Sequence, residues 1–318
     1  MSTTKKLFII LGPTASGKTK LSIQLAKELK TEIISCDSRQ FYKELKVGTA
    51  PPSNEELKNI KHHFIHHLSI HDNYNIGQFE KDALIKISNL FKIHNNLILV
   101  GGSGLYIDAL CNGIDNIPNT PKIIRDKVNS DFNEKGIKWL QEKVKEIDVN
   151  FYNKSDINNP QRLKRCLEVF ITTGEKISSF YNKEKSLRNF NIIKIGIRTE
   201  REILYKRINK RVEIMLRNGL INEAKQLFKH REVNSLNTVG YKELFNFFEK
   251  KYDLETAIEE IKKNSRRLAK RQITWFKRDK QITWFKKLYK PTMISAIGIS
   301  DRPIRICAPG FTRQYIDL

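Results

Sequence analysis

Apolar and polar positions follow two different periods along the first hundred residues of the chain. Continuous apolar runs at Leu7–Leu11, Ile33–Cys36 and Leu97–Val100 predict buried strands. Apolar residues spaced three or four positions apart predict helices over Lys18–Leu29 and Gly77–Phe91. Strands that alternate with helices are typical of a parallel sheet covered on both faces, so we expect an α/β fold.

The pattern changes between residues 116 and 191, where amphipathic helical segments follow one another without a strand signal. We interpret this stretch as an all-helical insertion. The apolar run Asn191–Ile197 returns to strand, and Thr199 with Glu202 predicts a capping box that opens a helix. That helix is expected to run to Arg217 and to end at Gly219, with further helices to about residue 287.

A phosphate-binding loop joins the first predicted strand to the first helix. Its sequence, GPTASGKT, has the spacing G-x-x-x-x-G-K-T and comprises Gly12, Pro13, Thr14, Ala15, Ser16, Gly17, Lys18 and Thr19. Backbone N–H groups of such a loop, together with the helix N-terminus, point at an anion. Lys18 would neutralise phosphate charge, and the Thr19 hydroxyl would ligate Mg²⁺.

The acidic residues near this loop do not match a nucleotide hydrolase. The strand Leu97–Val100 ends in Gly-Gly-Ser, and no acid follows until Asp108. Asp37 instead follows the second strand directly. Its position leaves two roles open, a magnesium ligand or a general base placed against a nucleophile near the phosphates.

Basic residues form two further candidate groups. Arg207 and Arg211 lie four apart on one predicted helix, where an Arg could stabilise charge on a leaving phosphate. Gln161, Arg162 and Arg165 lie in the insertion, where they could contact a nucleic-acid backbone. For each Arg the alternative is a solvated basic face.

Charge points to a polyanionic partner. The 318 residues include 58 Lys and Arg against 35 Asp and Glu, a formal net charge of +23. Between Lys262 and Lys290 basic residues are interleaved with aromatic ones, and Asp279 is the single acid there. This segment reads Q-I-T-W-F-K twice, which we interpret as two similar local segments rather than a solenoid repeat.

Other compositional features limit the classes of protein. No apolar run approaches the roughly 20 residues that cross a bilayer, and the start of the chain lacks a signal-peptide pattern, so we expect a cytoplasmic protein. Four scattered cysteines suggest neither disulfides nor a zinc site. The histidines between His62 and His71 lack accompanying ligands at metal-binding spacing, although His62 and His66 could share a helix face.

Six separated motifs together resemble one enzyme family. They are GPTASGKT, CDSRQFYKELKVGTAPP, VGGSGLY, NNPQRLKRCLEVF, NTVGYKEL and KRQITWFKRD, and they occur in the order found in bacterial-type tRNA dimethylallyltransferases, also called tRNA isopentenyltransferases or IPP transferases. The resemblance covers about residues 5–287. It implies a P-loop NTPase-like core of residues 1–115 and 192–290, a tRNA-binding helical insertion of residues 116–191, and a tail of unknown role over residues 291–318.

The resemblance also implies a reaction. Dimethylallyl diphosphate would donate its dimethylallyl group to N6 of the adenosine 3′ to the anticodon, and diphosphate would leave intact. Asp37 would accept the amine proton, while the loop, Thr19 with Mg²⁺ and Arg211 would hold the diphosphate. The tRNA-contacting positions would be Asp37, Ser38, Arg39, Gln40, Ser103, Arg125, Gln161, Arg162, Leu163, Lys164 and Arg165. We expect a monomer that binds tRNA and does not bind membranes.

Two other classes of protein share some of these features. A P-loop small-molecule kinase would have the loop and sheet, but would consume ATP and would not need the positive charge. A non-catalytic RNA-binding module would not need an intact Lys18, Thr19 and Asp37.

Overall fold

A parallel sheet organises the computed structural model, which describes residues 4–181 and 186–286. Within those residues the strands are β1 (Lys6–Leu11), β2 (Ile33–Ser35), β3 (His62–His63), β4 (Asn96–Gly101), β5 (Asn191–Ile197) and β6 (Thr283–Phe285). Their order across the sheet is β3-β2-β4-β1-β5-β6, and every neighbouring pair is parallel. This confirms the predicted α/β class.

Burial explains why the central strands lack polar alternation. The side chains of β1 from Leu7 to Leu11 are at most 1% exposed, because helices cover both faces of the sheet. On one face Phe8 and Ile10 pack with Leu21 and Leu25 of the first helix. The loop that follows β1 is therefore attached to a strand that is fixed in the core.

Helices make up most of the remaining described chain. They are α1 (Lys18–Leu29), α2 (Asn54–Asn59), α3 (Ile76–Leu90), α4 (Gly104–Asn112), α5 (Lys122–Ile147), α6 (Val149–Lys154), α7 (Pro160–Thr173), α8 (Arg201–Arg217), α9 (Leu220–Leu227), α10 (Tyr241–Phe248) and α11 (Leu254–Phe276). Short 3₁₀ turns lie at Ile177–Phe180, Phe228–His230 and Asn234–Leu236. No helix in the described ranges is both long and apolar enough to cross a membrane.

The chain divides into two compact units. The described residues of the first unit are 4–74, 85–107 and 190–286, and this unit holds the sheet. Those of the second unit are 75–84, 108–181 and 186–189. Its core is formed by α5, α6 and α7, with Leu140, Phe151 and Leu163 among the buried side chains. Its described elements are helical, as the sequence predicted for the insertion.

The start of α8 corrects one sequence prediction. The helix begins at Arg201 with Glu200 at the cap position, and no side chain caps it. The predicted capping box of Thr199 and Glu202 is therefore wrong. Arg198 donates its backbone N–H to Phe285 O, so the pairing with β6 continues one residue beyond β5. The helix ends at Arg217 as predicted, and Gly219 takes a left-handed φ of 94° just after it.

The second copy of Q-I-T-W-F-K corrects a second sequence prediction. The first copy ends helix α11, whereas the second forms strand β6, so the prediction of helices throughout is wrong. The second copy pairs with β5, and Lys194 Nζ of β5 donates to Asp279 Oδ2, just before this copy, at 2.5 Å and to Gln281 Oε1, its first residue, at 3.3 Å. The predicted tail, residues 291–318, lies outside the described residues.

Candidate active site at the phosphate-binding loop

The loop between β1 and α1 has the backbone that its glycines predict. Gly12 and Gly17 adopt φ values of 149° and 97°, and a methyl group on Gly12 would lie 3.0 Å from Ile197 O. Gly17 directly precedes α1, so the free N–H groups of the first helical turn face the loop. The Ser16 hydroxyl oxygen is buried without a hydrogen-bond partner among the described residues. The loop thus presents the N–H donors of a helix N-terminus and an unpartnered hydroxyl, which is the character of an anion site.

Lys18 lies within this loop, where its Nζ donates to Pro13 O at 2.7 Å. The pKa of Lys18 is lowered to about 8, chiefly by burial, while Asp37 raises it and Arg211 lowers it. These effects place the three charged groups within electrostatic range of one another. Two cations therefore lie at the loop, and the charge of Asp37 acts on both.

Arg211 reaches the loop from the middle of α8. Its Nη1 donates to Thr14 Oγ1 at 3.3 Å, and its Nη2 donates to Ala50 O at 2.8 Å. Burial lowers the pKa of Arg211, and Asp37 opposes that shift. Arg207, one turn earlier, is exposed. Of the two Arg residues that the sequence left as candidates, only Arg211 contacts the loop.

Asp37 follows β2 in a tight turn. Its Oδ1 accepts from Arg39 N at 3.1 Å, and its backbone oxygen accepts from Gln40 N at 3.0 Å. Next to it, Ser38 N donates to Ser103 Oγ at 3.2 Å, which joins the ends of β2 and β4. A methyl group on Gly101 would lie 2.1 Å from Cys36 O, so only glycine allows these strand ends to approach so closely.

Arg39 and Gln40 are engaged by backbone carbonyls of the same unit. Arg39 donates to the carbonyls of Asn234, Ser235 and Asn237, and Gln40 Nε2 donates to Thr49 O at 3.2 Å and to Ala50 O at 3.3 Å. Contact of these two residues with tRNA stays a prediction. Their contacts within the chain fix the turn that carries Asp37.

The candidate residues of the second unit differ in exposure. Gln161 and Arg162 have exposed side chains at the start of α7, after the Asn159 cap. Leu163 is fully buried in the core of its unit, so its side chain is not available to RNA. Lys164 is also buried, and its Nζ donates to Asn129 Oδ1 at 2.7 Å.

Arg165 and Arg125 share a buried acidic partner in that unit. Arg165 donates to Thr120 Oγ1 and to Pro118 O, while Arg125 is exposed. Both guanidinium groups lie within 4 Å of Glu168 Oε2, at 3.8 and 3.9 Å. Burial raises the pKa of Glu168, and the two Arg residues oppose that shift. Arg165 is thus held by its own unit, whereas Arg125 keeps an exposed side chain.

Comparisons with known proteins identify the family. The family model described as IPP transferase matches residues 40–279. A protein of Christiangramia forsetii named tRNA dimethylallyltransferase is 55% identical over 273 residues, 86% of this chain and 90% of that protein. One of the same name from Flavobacterium psychrophilum is 52% identical over 278 residues, 86% and 91% of the two chains. This chain belongs to the IPP transferase family.

Solved structures agree with this membership. The full-length tRNA isopentenylpyrophosphate transferase of Bacillus halodurans is 34% identical with a TM-score of 0.68, covering 93% of this chain and 95% of that one. A eukaryotic dimethylallyltransferase crystallised acting on tRNA has a TM-score of 0.77 at 27% identity, covering 95% and 81%. The parallel sheet flanked by helices is therefore the fold of this IPP transferase.

Two contacts at the site were not predicted from the sequence. Gln272 of α11 accepts from Thr14 N at 2.8 Å and donates to Gly102 O at 2.9 Å, bridging the phosphate loop and the end of β4. Glu223 of α9 accepts the backbone N–H groups of residues 46–48. Gln272 lies within the motif KRQITWFKRD, but nothing in the sequence marks it as a contact of the phosphate loop, and Glu223 has no signal beyond a polar position on an amphipathic helix.

The histidines serve other contacts. His62 and His63 lie on strand β3, so the prediction that His62 and His66 could share a helix face is wrong. His63 Nε2 contacts Glu32 Oε2 at 2.5 Å, and His62 Nδ1 contacts Ile60 O at 2.7 Å. Within residues 4–181 and 186–286, no three His, Cys, Asp or Glu side chains are arranged to hold a metal ion.

Proposed function

We propose that this IPP transferase moves a dimethylallyl group from dimethylallyl diphosphate to N6 of the adenosine 3′ to the tRNA anticodon, position 37. The allylic carbon–oxygen bond breaks, a carbon–nitrogen bond to N6 forms, and diphosphate leaves with the bonding electrons. The N6 proton passes to a carboxylate. The product is N6-isopentenyladenosine.

The observation that carries this proposal is the convergence of Arg211 and Lys18 on the phosphate loop beside Asp37. A departing diphosphate gains negative charge as its bond breaks, and fixed cations in a partly buried site stabilise that charge. Helix α4 begins just after Gly101-Gly102-Ser103, with no carboxylate at the end of β4 to serve nucleotide hydrolysis. The loop therefore suits a diphosphate that leaves intact.

Asp37 is the residue we assign as the base. The N6 amine is a weak nucleophile, because its lone pair is delocalised into the adenine ring. A carboxylate that accepts a hydrogen bond from N6 orients the amine toward the allylic carbon and takes its proton. The turn that holds Asp37 Oδ1 against Arg39 N restricts the carboxylate before the substrate binds.

Magnesium is a cofactor that fits this site. Thr19 would hold the ion through its hydroxyl, and the unpartnered Ser16 hydroxyl adds a polar oxygen to the loop among the described residues. Oxygen donors of this kind suit Mg²⁺, which usually keeps several waters and shares substrate phosphates. When bound, the ion would neutralise charge on the diphosphate.

Recognition of tRNA involves positions in each unit. In the first unit we assign Asp37, Ser38, Arg39, Gln40 and Ser103 to the adenosine and its neighbours. In the second unit we assign Arg125, Gln161, Arg162 and Arg165 to the phosphate backbone, with the exposed Arg162 the most accessible. The target adenosine has to leave its stack to be modified. We further propose a monomeric, cytoplasmic enzyme.

The test supplies labelled dimethylallyl diphosphate and a synthetic anticodon stem-loop with adenosines at positions 36 and 37. We expect the label in the RNA, and none in a stem-loop with guanosine at position 37, which lacks the N6 amine. Turnover of ATP without RNA labelling would contradict the proposal and favour a kinase. Tight RNA binding without either activity would favour a non-catalytic RNA-binding module.

A further inference from the structure

We propose that Glu223 is a positioning residue that orients Arg211 through the loop of residues 45–50. This inference rests on the proposed function, because it assumes that Arg211 holds the leaving diphosphate. Glu223 lies on α9, and the hydrogen bonds of its carboxylate go to the 45–50 loop and to Tyr241. Its influence on Arg211 passes through the backbone of the 45–50 loop.

The carboxylate of Glu223 receives consecutive backbone donors. Lys46 N lies 2.9 Å from Oε2, Val47 N lies 2.8 Å from Oε2, and Gly48 N lies 2.9 Å from Oε1. Hydrogen bonds to an ionised acceptor are roughly twice as strong as neutral ones. Three of them on one carboxylate fix the conformation of this turn.

Tyr241 closes the other side of the same carboxylate. Its hydroxyl donates to Glu223 Oε1 at 2.6 Å, and the side chain is fully buried. Burial raises the pKa of Tyr241, and the charge of Glu223 raises it further, so the phenol stays protonated and donates. A methyl group on Gly48 would lie 2.5 Å from the Tyr241 hydroxyl, so the loop packs closely against this ring.

The last residue of the 45–50 loop, Ala50, accepts a hydrogen bond from Arg211 through its carbonyl oxygen. Thr49 Oγ1 donates to Leu45 O at 2.7 Å, and Ala50 N donates to Val47 O at 3.0 Å, which closes the loop on itself. Ala50 adopts a φ of 42°, a left-handed conformation that costs a non-glycine residue energy and persists only where its surroundings impose it. In this conformation Ala50 O accepts from Arg211 Nη2 at 2.8 Å.

Arg211 needs the hydrogen bond to Ala50 O to keep its orientation toward the phosphate loop. Its side chain enters the site with hydrogen bonds to Ala50 O and to Thr14 Oγ1. If the loop relaxes, the guanidinium loses the shorter of these two hydrogen bonds and samples other rotamers. A cation already aimed where negative charge develops stabilises the transition state without reorganisation. Glu223 thus orients Arg211 indirectly, through the 45–50 loop.

The experiment compares Glu223→Gln with a matched control, Asp148→Asn. Asp148 is also a fully buried carboxylate that accepts backbone N–H groups, from Phe151 N at 3.0 Å and from Ser178 N at 2.9 Å. It belongs to the other unit, so neither hydrogen bond involves the 45–50 loop. Each variant is made in the native chain and in the Arg211→Lys background, in which Lys cannot form both hydrogen bonds.

The measurements are the melting temperature, the affinity for inorganic diphosphate with Mg²⁺ by calorimetry, and kcat and KM for prenyl transfer. We expect Glu223→Gln to weaken diphosphate binding and lower kcat by about tenfold, a loss typical of one charge-assisted hydrogen bond. In the Arg211→Lys background the same change should cause little further loss. Asp148→Asn should lower the melting temperature while diphosphate affinity stays at the native value.

Equal losses in both backgrounds, or unchanged diphosphate affinity in folded Glu223→Gln, would overturn the proposal. If Glu223→Gln fails to fold, Tyr241→Phe and Gly48→Ala take its place, because both change the contact between Tyr241 and the 45–50 loop. Their diphosphate affinities are compared in the native and Arg211→Lys backgrounds in the same way. Failure of the native protein to label RNA would instead contradict the proposed function. The diphosphate measurements would still test the link between Glu223 and Arg211.

Discussion

Individual side chains at the phosphate loop differ in how far the sequence could specify them. Lys18 follows from the loop motif, and Asp37 follows from its place directly after a strand. Helix periodicity does not distinguish Arg207 from Arg211, since both are basic and share a helix face, and only the family resemblance selected Arg211. Packing agrees with that choice, because Arg207 is exposed while Arg211 contacts Thr14 and Ala50.

Substitution of Asp37 by Asn tests its role as a base. The amide keeps the acceptor for Arg39 N but cannot take a proton from N6. We expect kcat to fall by about 10²- to 10⁴-fold, the usual contribution of a general base, while affinity for inorganic diphosphate is retained. Single-turnover assays and calorimetry measure the two quantities. Loss of Mg²⁺-dependent diphosphate binding would mean that Asp37 is a metal ligand instead.

The lowered pKa of Lys18, about 8, predicts a pH dependence of diphosphate binding. As the pH rises above this pKa, the free enzyme loses the Lys18 proton and with it one positive charge, so affinity should fall. Because the bound anion favours the charged form, binding near this pKa should take up a proton. Calorimetry in buffers of different ionisation enthalpy detects this uptake.

Lys18→Arg is the control for this pH effect, since Arg stays charged throughout the range. The ligand's own titration is the same for both proteins. The prediction fails if the native protein and Lys18→Arg show parallel affinity profiles between about pH 7 and pH 10, the range that spans the lowered and the ordinary pKa of a lysine.

At the scale of elements, periodicity predicted the long helices and the buried strands, whereas β3 and β6 were missed. Strands of two and three residues are too short to show a period. The two copies of Q-I-T-W-F-K show that local sequence alone does not decide whether a helix or a strand forms. Identical local sequence forms the end of helix α11 in one place and strand β6 in the other, because Lys194 and the edge of β5 act only on the second.

The Gln272 bridge should stabilise the phosphate loop. Its amide joins Thr14 N to Gly102 O, so Gln272→Ala leaves both groups without this partner. We expect the free energy of unfolding to fall by about 0.5–1.5 kcal/mol and diphosphate affinity to fall as well. The matched control is Gln281→Ala, because Gln281 has the same motif position but accepts from Lys194 instead. Equal diphosphate affinity in the two variants would refute a role for the bridge.

At the scale of the whole molecule, the net charge of +23 predicted a polyanionic partner, and family membership agrees with that inference. Sequence alone could not separate exposed from buried basic residues in the second unit. Leu163 and Lys164 were among the predicted RNA contacts, yet both are buried. A contiguous motif on a helix necessarily includes residues that face the core.

Arg162 provides the test of this electrostatic view. Removing the cation that neutralises one phosphate should reduce the slope of log affinity against log salt by about one. Arg162→Ala should therefore weaken tRNA binding and flatten its salt dependence, while affinity for inorganic diphosphate stays unchanged. Lys143→Ala is the control, because Lys143 is an exposed cation of the same unit that pairs with Glu146. An unchanged slope for Arg162→Ala would identify a solvated side chain.

In the proposed reaction the phosphate loop holds a diphosphate as a leaving group. The decisive experiment uses dimethylallyl diphosphate labelled separately in the dimethylallyl group and in the diphosphate, with the anticodon stem-loop as acceptor. We expect one equivalent of free diphosphate for each dimethylallyl group found on RNA, with no requirement for ATP. Release of inorganic phosphate in place of diphosphate, or RNA labelling that depends on ATP, would contradict it.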